Sequence, residues 1–157
     1  MEGVLTTVET SFIASHLRTS VDLYPAVSAL HILGIALLVG TIIALDLHIL
    51  GFRRSVGQRA VGSVLRPVAV VGFLLAVTTG GLLFSVRARD YAQNPAMLLK
   101  LASIAVAGVN AAIFQGLAGS AGGESRRCSA LARASAALSA LLWLVVLFSG
   151  RWIAFLD

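Results

Sequence analysis

The chain has 157 residues, of which 58% are hydrophobic and 12% charged, with a mean hydropathy of +0.93, values outside the ordinary soluble classes. Its single cysteine, Cys128, excludes an internal disulfide and a cysteine-only metal cage within one chain. The net charge of +5 is spread over short connections with no aromatic stacking platform beside it, so nucleic acid is not an expected partner.

Residues 4–19 carry Leu5, Val8, Phe12, Ile13, His16 and Leu17 at helical spacing, while Glu9, Arg18 and Thr19 fall largely elsewhere. This pattern predicts a short helix lying in the membrane interface. Glu2, Glu9 and the interrupting threonines do not match a cleaved signal peptide, so the segment is expected to be retained.

Four apolar stretches follow, at residues 25–50, 67–86, 95–117 and 134–152. Each is near the roughly 20 residues that ~30 Å of hydrocarbon requires. A soluble bundle would alternate apolar and charged faces, whereas only Asp46, Lys100 and Arg151 put charge inside or at the edges of these stretches. The expected fold is therefore all-α: an integral membrane four-helix bundle in one domain, with lipid against most of its surface. The connections leave no room for a soluble catalytic domain.

Local signals agree with these limits. Pro25, Pro67 and Pro95 each read as first-turn residues, where a helix does not need the missing amide hydrogen. Ser20 or Asp22 can cap the first span, and Asn94 the third. Gly72, Ala76 and Gly80 recur every four residues, as do Ala132, Ala136 and Ala140, and such stripes let backbones approach closely. Thr78 and Thr79 beside Gly80 and Gly81 suit a bend in which the hydroxyls satisfy backbone groups.

Orientation follows from the basic residues of short loops. The connections after the first and third spans hold Arg53, Arg54, Arg59, Arg66, Arg126, Arg127 and Arg133. The opposite side holds Arg18, Arg87, Arg89, Lys100 and Arg151, balanced by five acidic residues. Both termini are thus predicted on the non-cytoplasmic side, and Tyr24, Tyr91 and Trp152 fall at that boundary as ring anchors.

Polar residues inside the spans are the functional clues, because each is costly unless paired or wet. On a wheel of about 100° per residue, His31, Ile35, Leu38, Ile42 and Asp46 form one stripe, expected to face the bundle. His48 points roughly away from Asp46. Asp46, Asn110 and Gln115 lie at comparable depths and read either as a hydrogen-bonded clamp or as a proton or cation site. His31 reads either as a packing residue in a polar relay or as an axial iron ligand of haem b, with Arg151 as a propionate partner or an interfacial anchor. Two stacked haems within one chain are argued against, since no histidine occurs on the second, third or fourth span, unless ligands are shared across an oligomer. A second ligand to a single haem would be His16, Met97, water or none.

Leu23-Tyr24-Pro25, His31-Ile32-Leu33-Gly34, Leu45-Asp46 and Leu50-Gly51 resemble landmarks of an uncharacterised bacterial family of small four-helix membrane proteins. So do Asn94-Pro95-Ala96-Met97-Leu98-Leu99-Lys100, Asn110-Ala111-Ala112-Ile113-Phe114 and Gly150-Arg151. The resemblance implies the four-helix fold and the bacterial inner membrane. The family is loosely similar to copper-resistance membrane proteins and to cytochrome b-type bundles. Where its pattern often has a histidine after the phenylalanine, this chain has Gln115.

Three functions follow as expectations. The first is a non-catalytic subunit or accessory protein of a larger membrane complex, with other membrane subunits or further copies of itself as partners. The second is a single-haem electron carrier built on His31 and Arg151. The third is passage of protons or metal ions by Asp46 and Asn110. The sequence holds no nucleophile with its base, phosphate-binding loop or multidentate metal motif, so an autonomous enzyme is not expected.

Overall fold

The computed structural model describes residues 2–52, 58–120 and 130–155, with their side chains except at 58, 59, 115–120 and 154. The helices are α1 (Glu2–Glu9), α2 (Phe12–Thr19), α3 (Leu23–Leu50), α4 (Gln58–Val86), α5 (Ala88–Gln93), α6 (Pro95–Ser120) and α7 (Ala130–Trp152), and a 3-10 turn follows at Ile153–Phe155. α3, α4, α6 and α7 are each long and apolar enough to cross a membrane. At most 22% of the most apolar stretch of any of them is buried. Ile32, Val71, Ile113 and Phe148 stand exposed on these helices, as side chains facing lipid do. The all-α membrane bundle is the fold.

The helices differ most from the sequence expectation in three places. α4 begins at Gln58, so Pro67 sits inside the helix rather than in its first turn. The helix tolerates the lost backbone bond, which fits a membrane helix whose neighbouring groups re-satisfy the backbone. The interfacial segment is two helices, broken where the Ser11 side chain accepts from Ala14 N and caps α2. The short α5 separates α4 from α6.

The caps are largely those anticipated. Asn94 Oδ1 accepts from Ala96 N at 2.9 Å, and Ser20 rather than Asp22 accepts from Leu23 N, at 3.2 Å. α3 ends on Gly51, whose φ of 113° is left-handed and open to glycine.

The spanning helices form a curved row in the order α4, α3, α7, α6. The α3–α4 seam is the tightest: a Cβ on Gly34 would stand 2.7 Å from the Ala76 nitrogen, and one on Gly72 2.6 Å from the Leu38 nitrogen. The Gly72 and Ala76 stripe is therefore consumed inside the molecule. Ala132 and Ala136 are likewise buried on α7. Leu38, Val39, Ala107, Trp143 and Val146 form the core at mid-depth, with Ile35, Ile42 and Ile104 packed against it. α4 and α6, the ends of the row, have no extended contact with each other, and neither have α3 and α6.

The N-terminal helices close one end of the bundle. Arg18 donates to the Val86 carbonyl at 2.7 Å, satisfying an orphan group in the last turn of α4. Arg89 donates to the Glu9 carboxylate through its backbone N at 2.9 Å and its Nε at 2.8 Å. These bonds, the backbone one foremost, hold the Glu9 carboxyl below its ordinary range. Ala14 and Ala88 are fully buried at this junction. Asn94 Nδ2 lies 3.4 Å from the Ile153 carbonyl, bringing the C-terminal turn to the same end.

Candidate functional site

The gap between α4 and α6 is a cavity of about 520 Å³, floored by α3 and α7. That volume lies within the roughly 300 to 1,000 Å³ of small-molecule sites. Ile35, Leu38 and Val39 of α3, Phe73, Val77 and Phe84 of α4, Leu101 and Ile104 of α6, and Trp143 and Val146 of α7 give it apolar walls. Tyr24, His31, Tyr91, Met97 and Lys100 supply its heteroatoms. All five come from the half of the bundle nearest the described termini.

His31 is held from behind. Its Nδ1 lies 3.1 Å from Thr79 Oγ1, and that hydroxyl donates its only hydrogen to the Leu75 carbonyl at 2.6 Å. Thr79 must then accept from the ring, so Nδ1 carries the proton and Nε2 is the lone-pair nitrogen. The ring also approaches α4 closely at Gly80, where an added Cβ would stand 2.8 Å from His31 Cε1. Thr79 thus satisfies backbone, as its type suggested, and also fixes a tautomer.

Lys100, read from the sequence as a boundary charge, lines the cavity and is near enough for its charge to be felt at the His31 ring. It was the missed residue, although a charge six residues into an apolar helix that begins at Pro95 was a visible signal. Met97 lines the same space. Arg151 does not: it is exposed, and its guanidinium stacks over Phe155 at 5.2 Å. His16 is exposed on α2 and stacked on Phe12. His48 is half-buried in the last turn of α3, far along the helix from the cavity.

The other polar residues lie beyond the core, toward the opposite end. Asp46 is 6% exposed, its side chain partnered by Ser139 of α7, while Oδ2 has no hydrogen-bond partner among the described residues. Asn110 does not reach it. Its Nδ2 donates to the Ser135 carbonyl at 3.1 Å and its Oδ1 accepts from Ser135 Oγ at 3.0 Å. The expected Asp46–Asn110 clamp is therefore replaced by two separate contacts, each to α7. Comparable depth did not bring the residues together because α7 lies between α3 and α6. The Gln115 side chain is outside the described residues.

No group of three or more His, Cys, Asp or Glu able to hold a bare metal ion occurs among the described residues. A tetrapyrrole asks less of the protein, because four of the iron's ligands are its own and one histidine can complete the attachment. The fold is that of a multi-pass α-helical membrane protein with a cavity among its spanning helices. Comparison with protein-family models, with curated proteins and with solved structures gives no match, so function is argued from that site.

Proposed function

We propose that this chain is a small non-catalytic membrane subunit that carries one haem b in the cavity between α4 and α6 and passes electrons to a partner. The observation that carries the reading is His31. It has its Nδ1 proton committed to Thr79, leaving Nε2 as the lone-pair nitrogen of a ring on the wall of an apolar cavity. Met97 of α6, which also lines the cavity, is the residue that could supply a second ligand. The group would supply one-electron chemistry, with its potential tuned by the axial ligands and by burial.

Ion passage is disfavoured by the apolar core of Leu38, Val39, Trp143 and Val146, which separates His31 from Asp46. By helical rise these two residues are roughly 22 Å apart along α3. The basic connections at residues 53–66 and 126–133 support placing that end in the cytoplasm and both termini outside it. The bacterial inner membrane is the compartment that the resemblance suggests.

The test is an absorption spectrum, oxidised and then reduced, of protein purified in mild detergent after expression with ample haem supply. Soret and α bands at one haem per chain, lost in His31→Ala, are expected. A well-folded but colourless protein would overturn the haem reading and leave a cofactor-free accessory subunit.

A further inference from the structure

We infer that Lys100 is the counter-cation for an anionic group on the molecule that fills the cavity, so that the site selects an acid over its neutral ester. The inference rests on the haem reading and assigns the propionates to Lys100 in place of Arg151.

Lys100 lies along Gly150 of α7, where an added Cβ would stand 3.4 Å from its Nζ and 3.7 Å from Cε. That contact keeps the chain at the α6–α7 seam while it lines the cavity. An ammonium taken from water into apolar surroundings is costly unless an anion meets it. Among the described residues no carboxylate pairs with Lys100. Glu9 is engaged by Arg89 and Asp90 by Arg87, while Asp46 lies beyond the core. Among the described residues, then, the cavity presents a cation with no anion beside it to its occupant.

Depth places the two attachments in a workable order. Lys100 is five residues past the start of α6, roughly 8 Å by helical rise, and His31 is eight past the start of α3, roughly 12 Å. Lys100 is thus nearer the start of its helix than His31 is to the start of its own. An amphipathic tetrapyrrole needs that arrangement, with its acid groups toward water and its ring deeper. Arg151 has its guanidinium over Phe155 and is not on the cavity wall.

The experiment titrates haem-free protein with haem and with haem dimethyl ester, following the Soret band. Wild type should bind the acid ~10-fold more tightly than the ester, the ratio equivalent to one favourable charge contact of about 1.4 kcal/mol. Lys100→Met should abolish that preference by weakening the acid alone, whereas Lys100→Arg and Arg151→Met should keep it. Equal affinities in wild type, equal weakening of acid and ester in Lys100→Met, or loss of preference in Arg151→Met would each overturn the assignment. The haem reading would stand in those cases. Failure of wild type to bind either form would remove both.

Discussion

Toward the termini, His31 and Lys100 stand on the wall of an open apolar cavity, and part of their hydrogen-bonding or charge capacity has no partner among the described residues. Toward the opposite end, Asn110 is closed off by a paired contact to Ser135, and Asp46 is set against Ser139 and does not line that cavity. Both halves contain intramembrane polar groups, so polarity alone does not mark a site. What separates them is room: a ligand site needs polar atoms that face space, whereas a structural contact uses polar atoms to hold helices together.

The sharpest way to break this contrast is at Thr79. Thr79→Val keeps the shape of α4 and removes the acceptor that fixes the His31 tautomer. Haem affinity is expected to fall ~10- to 100-fold, as for other partners that orient a metal-bound histidine. Soret titration measures this, with helicity unchanged by circular dichroism. An unaltered affinity would show that the ring needs no support from α4.

In the other half, Asn110→Leu should lower stability against denaturing detergent by about 0.6 to 1.7 kcal/mol, the scale of interhelical hydrogen bonds in membranes. It should leave haem binding intact. Asp46→Asn should change stability by less than about 1 kcal/mol, because among the described residues the site offers its side chain one hydroxyl and no cation. A lost spectrum in either variant would join the two halves into one functional unit.

The smallest effect concerns the docking of α1 on α5. Glu9 has a folded pKa below its unfolded value of 4.5. Its ion pair with Arg89 therefore stabilises the docked helix fully above that value and loses this contribution as pH falls through the lower, folded one. Spin labels on α1 and α5 should report separation under acid, and Glu9→Gln should already show it at neutral pH. A constant distance in both conditions would make the pair ornamental and leave Ala14, Leu17 and Ala88 to hold the junction.

Much of this was readable before the fold. The spans follow from the length of apolar chain that lipid demands, and the stripe of His31, Leu38 and Asp46 does turn inward, with Leu38 7% and Asp46 6% exposed. The Gly72 and Ala76 stripe does bring two backbones together. The start of α4 was misplaced because Arg59, Arg66 and Pro67 look like a loop, although a helix in the interface can carry all three. The Asn110 partner and the cavity were not readable for a common reason. A helical wheel gives the face of each helix but not the order of helices around the bundle, and it is the order α4, α3, α7, α6 that leaves one gap unfilled.

That gap also decides how the site is supplied. Because its two flanking helices do not close on each other, the mouth borders the acyl chains, and an occupant would arrive by diffusing within the leaflet. Loading then depends on how strongly a molecule partitions into the bilayer and on its competition with lipid tails, more than on its concentration in water. A poorly soluble compound becomes a well-supplied one. An empty site would be filled by hydrocarbon, so exchange of ligand is an exchange with the solvent of the fold itself.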